Sequence, residues 1–115
     1  MRVQGTYWEQ VAQSYIEKHG LTLLERNFTV KAGEIDLVMK EANTYVFVEV
    51  KYRQSNHYGG AIEAVGYKKQ EKIRRSAAIF LQQKGLNAYN TACRFDVVAI
   101  VGKTNPEITW LKNAF

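Results

Sequence analysis

Gly33-Glu34-Ile35-Asp36-Leu37-Val38-Met39-Lys40-Glu41-Ala42-Asn43-Thr44-Tyr45-Val46-Phe47-Val48-Glu49-Val50-Lys51 reads as two β-strands joined by a tight connection at Glu41-Ala42-Asn43. The second strand is rich in β-branched and aromatic residues, which suit a pleated, buried surface. It is apolar on both faces up to Val48, the pattern of a central strand. Yet Glu34 and Asp36 sit in the first strand and Glu49 in the second. Acidic residues are depleted in strands, and ionised groups are rarely buried unless paired or bound to metal.

Alternation puts Glu34, Asp36 and Val38 on one face of the first strand, and Tyr45, Phe47, Glu49 and Lys51 on one face of the second. A two-residue turn at Ala42-Asn43 would set Asp36 opposite Glu49 and Glu34 opposite Lys51, with Cβ atoms about 5 Å apart. Carboxylates that close repel unless a proton or a cation intervenes. Mg²⁺ (or Mn²⁺) suits such a gap, since Mg²⁺ takes one or two carboxylates and completes its octahedron with water and phosphate oxygens. Lys51 would point into the same space, where an ammonium can hold a metal-bound water or stabilise a transition-state charge. A one-residue slip would part the two carboxylates and remove the site. The plainer alternative is surface ion pairing of Lys51 with Glu49 or Glu34, which stabilises little. Against it, the charges emerge at the end of a buried strand and from two adjacent strands.

Working outward, Thr6 opens a helix in which Trp8, Val11, Ala12, Tyr15, Ile16 and His19 recur at three- and four-residue spacing, with Gly20 as its stop. Leu21 to Phe28 reads as a strand with Asn27 near a turn. A polar loop from Gln54 to Gly60 leads to a helix from about Ala64 to Lys84, whose buried stripe is Ile73, Ala77, Phe80 and Leu81. Strands follow from Cys93 to Val101 and from Glu107 to Leu111. The order α-β-β-β-α-β-β predicts an α/β fold with a mixed central sheet flanked by helices, in one domain over residues 1–115.

A chain of 115 residues can bury a real core. Its single cysteine, Cys93, excludes an intrachain disulfide and a cysteine-based zinc site. His19 and His57 lack ligand spacing. The first residues, Met1 to Gly5, carry no apolar signal-like run, and Val97 to Val101 is too short to span a bilayer. A cytoplasmic protein with no membrane association is expected. The net charge of +5 is uneven: residues 1–50 hold five basic and seven acidic groups, residues 51–115 eleven and four. The basic half suits a polyanion.

Much of that charge lies on the second helix. Lys68, Lys72 and Arg75 fall at i, i+4 and i+7, flanked by Lys69 and Arg74. This is either a solvated outer face or a ridge that contacts phosphates. Arg53, Tyr52 and Tyr58, just beyond Lys51, can add phosphate or stacking contacts. No base-reading element is evident, so recognition of backbone or branched shape is expected. Asp96, in an otherwise apolar strand, is expected to be a structural partner of Arg94 or of nearby backbone.

Asp36 followed by Glu49-Val50-Lys51, with an upstream helical Glu9, resembles the PD-(D/E)xK nuclease superfamily and especially the archaeal Holliday junction resolvases. The chain is more closely similar to the YraN-like family of small bacterial proteins. That likeness is carried by Gly5-x-x-x-Glu9, Arg26-Asn27, Gly33 to Leu37, Phe47 to Lys51 with Arg53, Tyr58-Gly59-Gly60, Lys69 to Ile73, Arg94 to Val98 and Asn113-Ala114-Phe115, essentially the whole chain. The position before Glu9, often glycine in the family, is Trp8. The resemblance implies a restriction-endonuclease-like αβββαβ core. It implies metal ligands Asp36 and Glu49 with the Val50 carbonyl as a third, a catalytic Lys51, and Glu9 as an outer carboxylate on a metal-bound water. Glu34 would be a further ligand or would orient Lys51. Glu9 keeps a local alternative, since Thr6-x-x-Glu9 is also a capping box. The activity implied is a Mg²⁺-dependent nuclease on DNA, with branched or structured DNA as a candidate substrate. The alternatives are a nucleic-acid-binding protein that keeps the fold without catalysis and, more weakly, an adaptor for protein contacts. A junction-cleaving role needs two active sites and so a homodimer, for which no seam is readable.

Overall fold

The apolar spacing of the chain gives two helices and five strands in the expected order. In this computed structural model, which describes residues 3–55 and 65–115 (side chains from Thr6 on), they are α1 (Val3–Glu17), β1 (Thr22–Val30), β2 (Gly33–Glu41), β3 (Thr44–Arg53), α2 (Tyr67–Gln83), β4 (Cys93–Val101) and β5 (Glu107–Leu111). The strands form one sheet in sequence order, antiparallel except for β3 and β4, which run parallel and are joined through α2. Each face needs an apolar cover. Trp8, Ala12 and Ile16 of α1 pack on Leu37, Met39, Val46, Val48, Val98 and Ile100. Ile73, Ala77, Phe80 and Leu81 of α2 pack on Phe28, Ile35, Val38 and Phe47 of the opposite face. The large Trp8 ring fits because it lies flat on Tyr52, with ring centroids 4.1 Å apart.

Three boundaries differ from the sequence reading. α2 begins at Tyr67 rather than near Ala64, with Val65 and Gly66 outside the helix. α1 begins at Val3, a turn before Thr6, so Thr6 is inside the helix rather than at its cap. β1 runs through Asn27 to Val30, because Asn27 takes a left-handed φ of 55° within the strand instead of turning the chain. Asparagine is among the few residues that adopt that conformation readily.

Asp96 is structural, as expected. Its fully buried carboxylate accepts hydrogen bonds from Arg94 Nε, Trp110 Nε1 and the Asn113 N–H, while Arg94 also reaches Glu41. The C-terminus is held there too. The Ala114 N–H donates to the Phe95 carbonyl, Phe115 stacks on Phe95, and the Arg74 guanidinium lies over both rings.

The β2–β3 hairpin positions the site. Its pairs run from Glu41↔Thr44 to Leu37↔Val48, which is the expected register about an Ala42-Asn43 turn, with Ala42 left-handed at φ 52°. The ladder stops there, one pair short of Asp36 and Glu49. Strict alternation also fails at this point. Leu37 packs toward α1, yet Ile35, two residues earlier, packs toward α2 together with Val38. The break lies at Asp36 on β2. On β1 the left-handed Asn27 falls between the pairs Arg26↔Leu37 and Phe28↔Ile35. The expected cross-strand pairs Asp36–Glu49 and Glu34–Lys51 are therefore not rungs of the ladder: β2 and β3 separate, and the acids line the gap.

Candidate active site

A strand that leaves its neighbour must satisfy the backbone groups it abandons. Asp36 does this with its side chain: Oδ2 accepts the Val50 N–H at 2.8 Å. In a strand the N–H and C=O of one residue point to the same edge. The Val50 carbonyl is thus directed into the same gap as the Asp36 carboxylate. Asp36 and Glu49 are 9% and 4% exposed, and both border two cavities of about 410 and 480 Å³, together with Glu34 and Lys69. The first cavity opens toward α1 past Trp8, Glu9, Lys51, Tyr52 and Arg53; the second opens toward α2 past Lys68 and Lys72. The gap thus joins both faces of the sheet at one point.

Burial, and then the neighbouring Glu49 charge, push the Asp36 carboxyl up to about 8, while its bond to Val50 works the other way. Two ammonium groups answer the Glu49 carboxylate. Lys69 Nζ is 2.5 Å from Glu49 Oε2, and Lys51 Nζ is 3.6 Å from the same oxygen. Burial and the adjacent Lys69 charge depress the Lys51 amine below the usual lysine range. Lys69 is held above its ordinary value: burial acts against this, but the hydrogen bond to Glu49 and the Glu49 charge prevail.

The structure brings together most of the residues expected from the sequence. Lys51 points into the space beside Glu49. Glu34 borders both cavities and accepts a long hydrogen bond from Thr29 Oγ1. Glu9 is 3% exposed, and its Oε1 accepts from Asn27 Nδ2 at 2.9 Å. The capping-box alternative for Glu9 is overturned, since α1 begins at Val3 and Thr6 is not its cap. The left-handed turn of β1 at Asn27 is what brings that amide to Glu9, so one irregular residue serves both the strand break and the helix carboxylate.

Lys69 differs from the expectation. The sequence places it beside the basic ridge; in the structure its half-exposed side chain ion-pairs with Glu49. The signal was present: Lys69 continues the buried stripe of Ile73, Ala77 and Phe80 by one turn toward the start of α2. Lys68, Lys72 and Arg75 are exposed, and Lys68 and Lys72 line the second cavity. Arg74 packs on the C-terminal rings and pairs with Glu71 instead of joining that ridge. Arg53 lines the first cavity. Tyr58 and His57 lie outside the described residues. Gly33 matters as well, because a Cβ there would stand 3.3 Å from Ser76 Oγ and 3.4 Å from Lys72 Cβ. Its bare backbone lets α2 approach the start of β2.

The model of the uncharacterised protein family UPF0102 matches residues 8–100, which contain Glu9, Asn27, Asp36, Glu49, Lys51 and Lys69. The chain belongs to that family. UPF0102 proteins of Colwellia psychrerythraea, Aliivibrio salmonicida and Yersinia enterocolitica are 54%, 49% and 45% identical to it. These matches cover 97%, 98% and 99% of this chain, and 88%, 91% and 95% of the respective relatives. No helix among the described residues of this UPF0102 chain is long and apolar enough to cross a membrane.

The donor chemistry fits a divalent cation. Asp36, Glu49 and the Val50 carbonyl offer hard oxygen atoms, which suit Mg²⁺ or Mn²⁺. Two carboxylates share one buried gap, where burial first and then the Glu49 charge raise Asp36. A dication offsets such charge directly. Among the described residues no cluster of three or more His, Cys, Asp or Glu has ligand geometry. Two carboxylates and a backbone carbonyl, with water completing the shell, would match the few-ligand pattern of Mg²⁺ sites.

Proposed function

We propose that this protein is a Mg²⁺-dependent nuclease acting on DNA, with a restriction-endonuclease-like core and a preference for backbone shape over base sequence. One observation carries the reading. Two buried carboxylates and two lysines meet in a gap between β2 and β3, and that gap opens along α2 onto exposed Lys68 and Lys72. A β-β-β-α-β order with a parallel β3–β4 pair supports the core assignment. A bound divalent cation would lower the pKa of an attacking water and neutralise charge on the scissile phosphate. The remaining work falls to the chain itself. Asp36, Glu49 and the Val50 carbonyl would hold the cation. Lys51, beside Glu49, is placed to hold the attacking water or to stabilise the charge that develops on the phosphate. Glu9 would orient that water from α1, with Asn27 fixing its carboxylate. Lys68, Lys72, Arg75 and Arg53 would contact the phosphate backbone.

A second reading is favoured by one specific feature. Glu49 already has two ammonium partners, an arrangement that a DNA-binding protein without turnover can keep. A panel of duplexes, four-way junctions, flaps and single strands with Mg²⁺ or Mn²⁺ separates the two. The nuclease reading expects metal-dependent cleavage of at least one form, lost in Lys51→Ala. Salt-sensitive binding to every form without cleavage would select the binding module.

A further inference from the structure

We propose that Lys69 is a handover group: it neutralises Glu49 while the site is metal-free, and it passes to a DNA phosphate once a divalent cation takes the carboxylate. This rests on the nuclease reading and adds to it a step that couples metal loading to substrate grip. Lys69 and Lys51 address the same Glu49 oxygen, but they are not equivalent. Lys51 sits on a strand paired on one side along its whole length with β4, and its side chain is 15% exposed. Lys69 projects from the first turn of α2, is 47% exposed, and makes the closer contact at 2.5 Å. A cation bound by Asp36 and Glu49 would compete with Lys69 for the Glu49 carboxylate, and its double charge would repel the ammonium. Lys51 is confined, whereas Lys69 has a four-carbon, strongly hydrated arm free to swing. Lys69 already borders the second cavity beside Lys68 and Lys72, so release from Glu49 leaves its ammonium among theirs. With the cation on Asp36 and Glu49, Glu34 is the carboxylate left on that cavity against three ammonium groups, and the anion a nucleic-acid substrate adds is phosphate.

The test is calorimetric titration of the full chain with Mn²⁺, using Lys69→Met and Lys69→Gln beside Lys72→Met. Lys69 is half exposed, so its replacement leaves the core intact. Lys72 lines the same groove without pairing to Glu49, and so controls for long-range charge. Release of a half-exposed ion pair is expected to tighten Mn²⁺ binding about fivefold in both Lys69 variants, against less than about twofold in Lys72→Met. Binding of a short duplex adds a second readout. With Ca²⁺ present, Lys69→Met should lower the slope of log affinity against log salt by about one, and in EDTA leave it unchanged. Equal tightening in the Lys69 and Lys72 variants overturns the handover, as does a slope already reduced in EDTA. Absence of Mn²⁺ binding in every chain overturns both this and the nuclease reading, whereas binding of equal strength in wild type and Lys69→Met overturns the handover alone.

Discussion

Asp36 carries the most information of any single residue. Its carboxyl is pushed up to about 8 by burial and by Glu49, whereas in the unfolded chain it lies near its ordinary value of 3.8. The folded state therefore binds the proton more tightly, and the stability this gives is full at low pH and lost as pH rises through about 8. In metal-free buffer the urea midpoint should fall from pH 5 to pH 8.5, and Asp36→Asn should remove that part of the slope. Metal binding should show the linked effect. Because the ligand must be deprotonated, Mn²⁺ affinity should climb by up to about tenfold per pH unit below pH 8 and then level off. A pH-independent affinity would mean that Asp36 is not a ligand. Part of this residue could be read from sequence: a charged strand opposite another charged strand implies a partner or a cation. Its hydrogen bond to Val50 could not, because that bond exists only where the ladder breaks.

The strand break and the seat of α2 belong to the scale of elements. Periodicity located every helix and strand, and the hairpin register followed from a two-residue turn. The extrapolation of that register past Leu37↔Val48 failed, because alternation assumes a regular strand and Asn27 makes β1 irregular. Asparagine within a strand is the available clue, since it adopts the left-handed conformation readily. Lys69 continues the helical stripe of Ile73, Ala77 and Phe80, so its exposed side chain still reaches Glu49. Gly33 offers a direct test of how α2 is seated. A side chain there meets Ser76 and Lys72 at 3.3 and 3.4 Å, so Gly33→Val should cost about 1–3 kcal/mol by overpacking and lift the first turns of α2 from the sheet. Gly66, the residue that caps α2, has nothing within 4 Å, and Gly66→Ser should cost little or stabilise. Chemical denaturation of both variants checks this. Equal loss at the two positions would contradict close packing at Gly33.

At the scale of the whole molecule, the first half supplies the acids Glu9, Glu34, Asp36 and Glu49 of the site, and the second half supplies Lys51 and Lys69 with Lys68 and Lys72 beside them. Lys68, Lys72 and Arg75 are exposed on α2 and not committed to the core. Replacing all three by Gln should weaken binding to any duplex about equally, and reduce the salt slope by about three. Fluorescence anisotropy at several salt concentrations measures both, and an unchanged slope would place the polyanion elsewhere. Fold class and family were legible because the motifs span the chain, and the family match covers residues 8–100. The proposed activity rests on chemistry alone, since a carboxylate pair with lysines suits a cation and a phosphate. The central claim is that Asp36 and Glu49 together form a divalent-cation site. Titration of the wild-type chain and Asp36→Asn with Mn²⁺ tests it most directly, because the amide keeps the shape and can still accept the Val50 N–H. One ion should bind per wild-type chain, with an affinity at least about tenfold weaker in Asp36→Asn; equal affinity in the two chains would mean that Asp36 holds no cation.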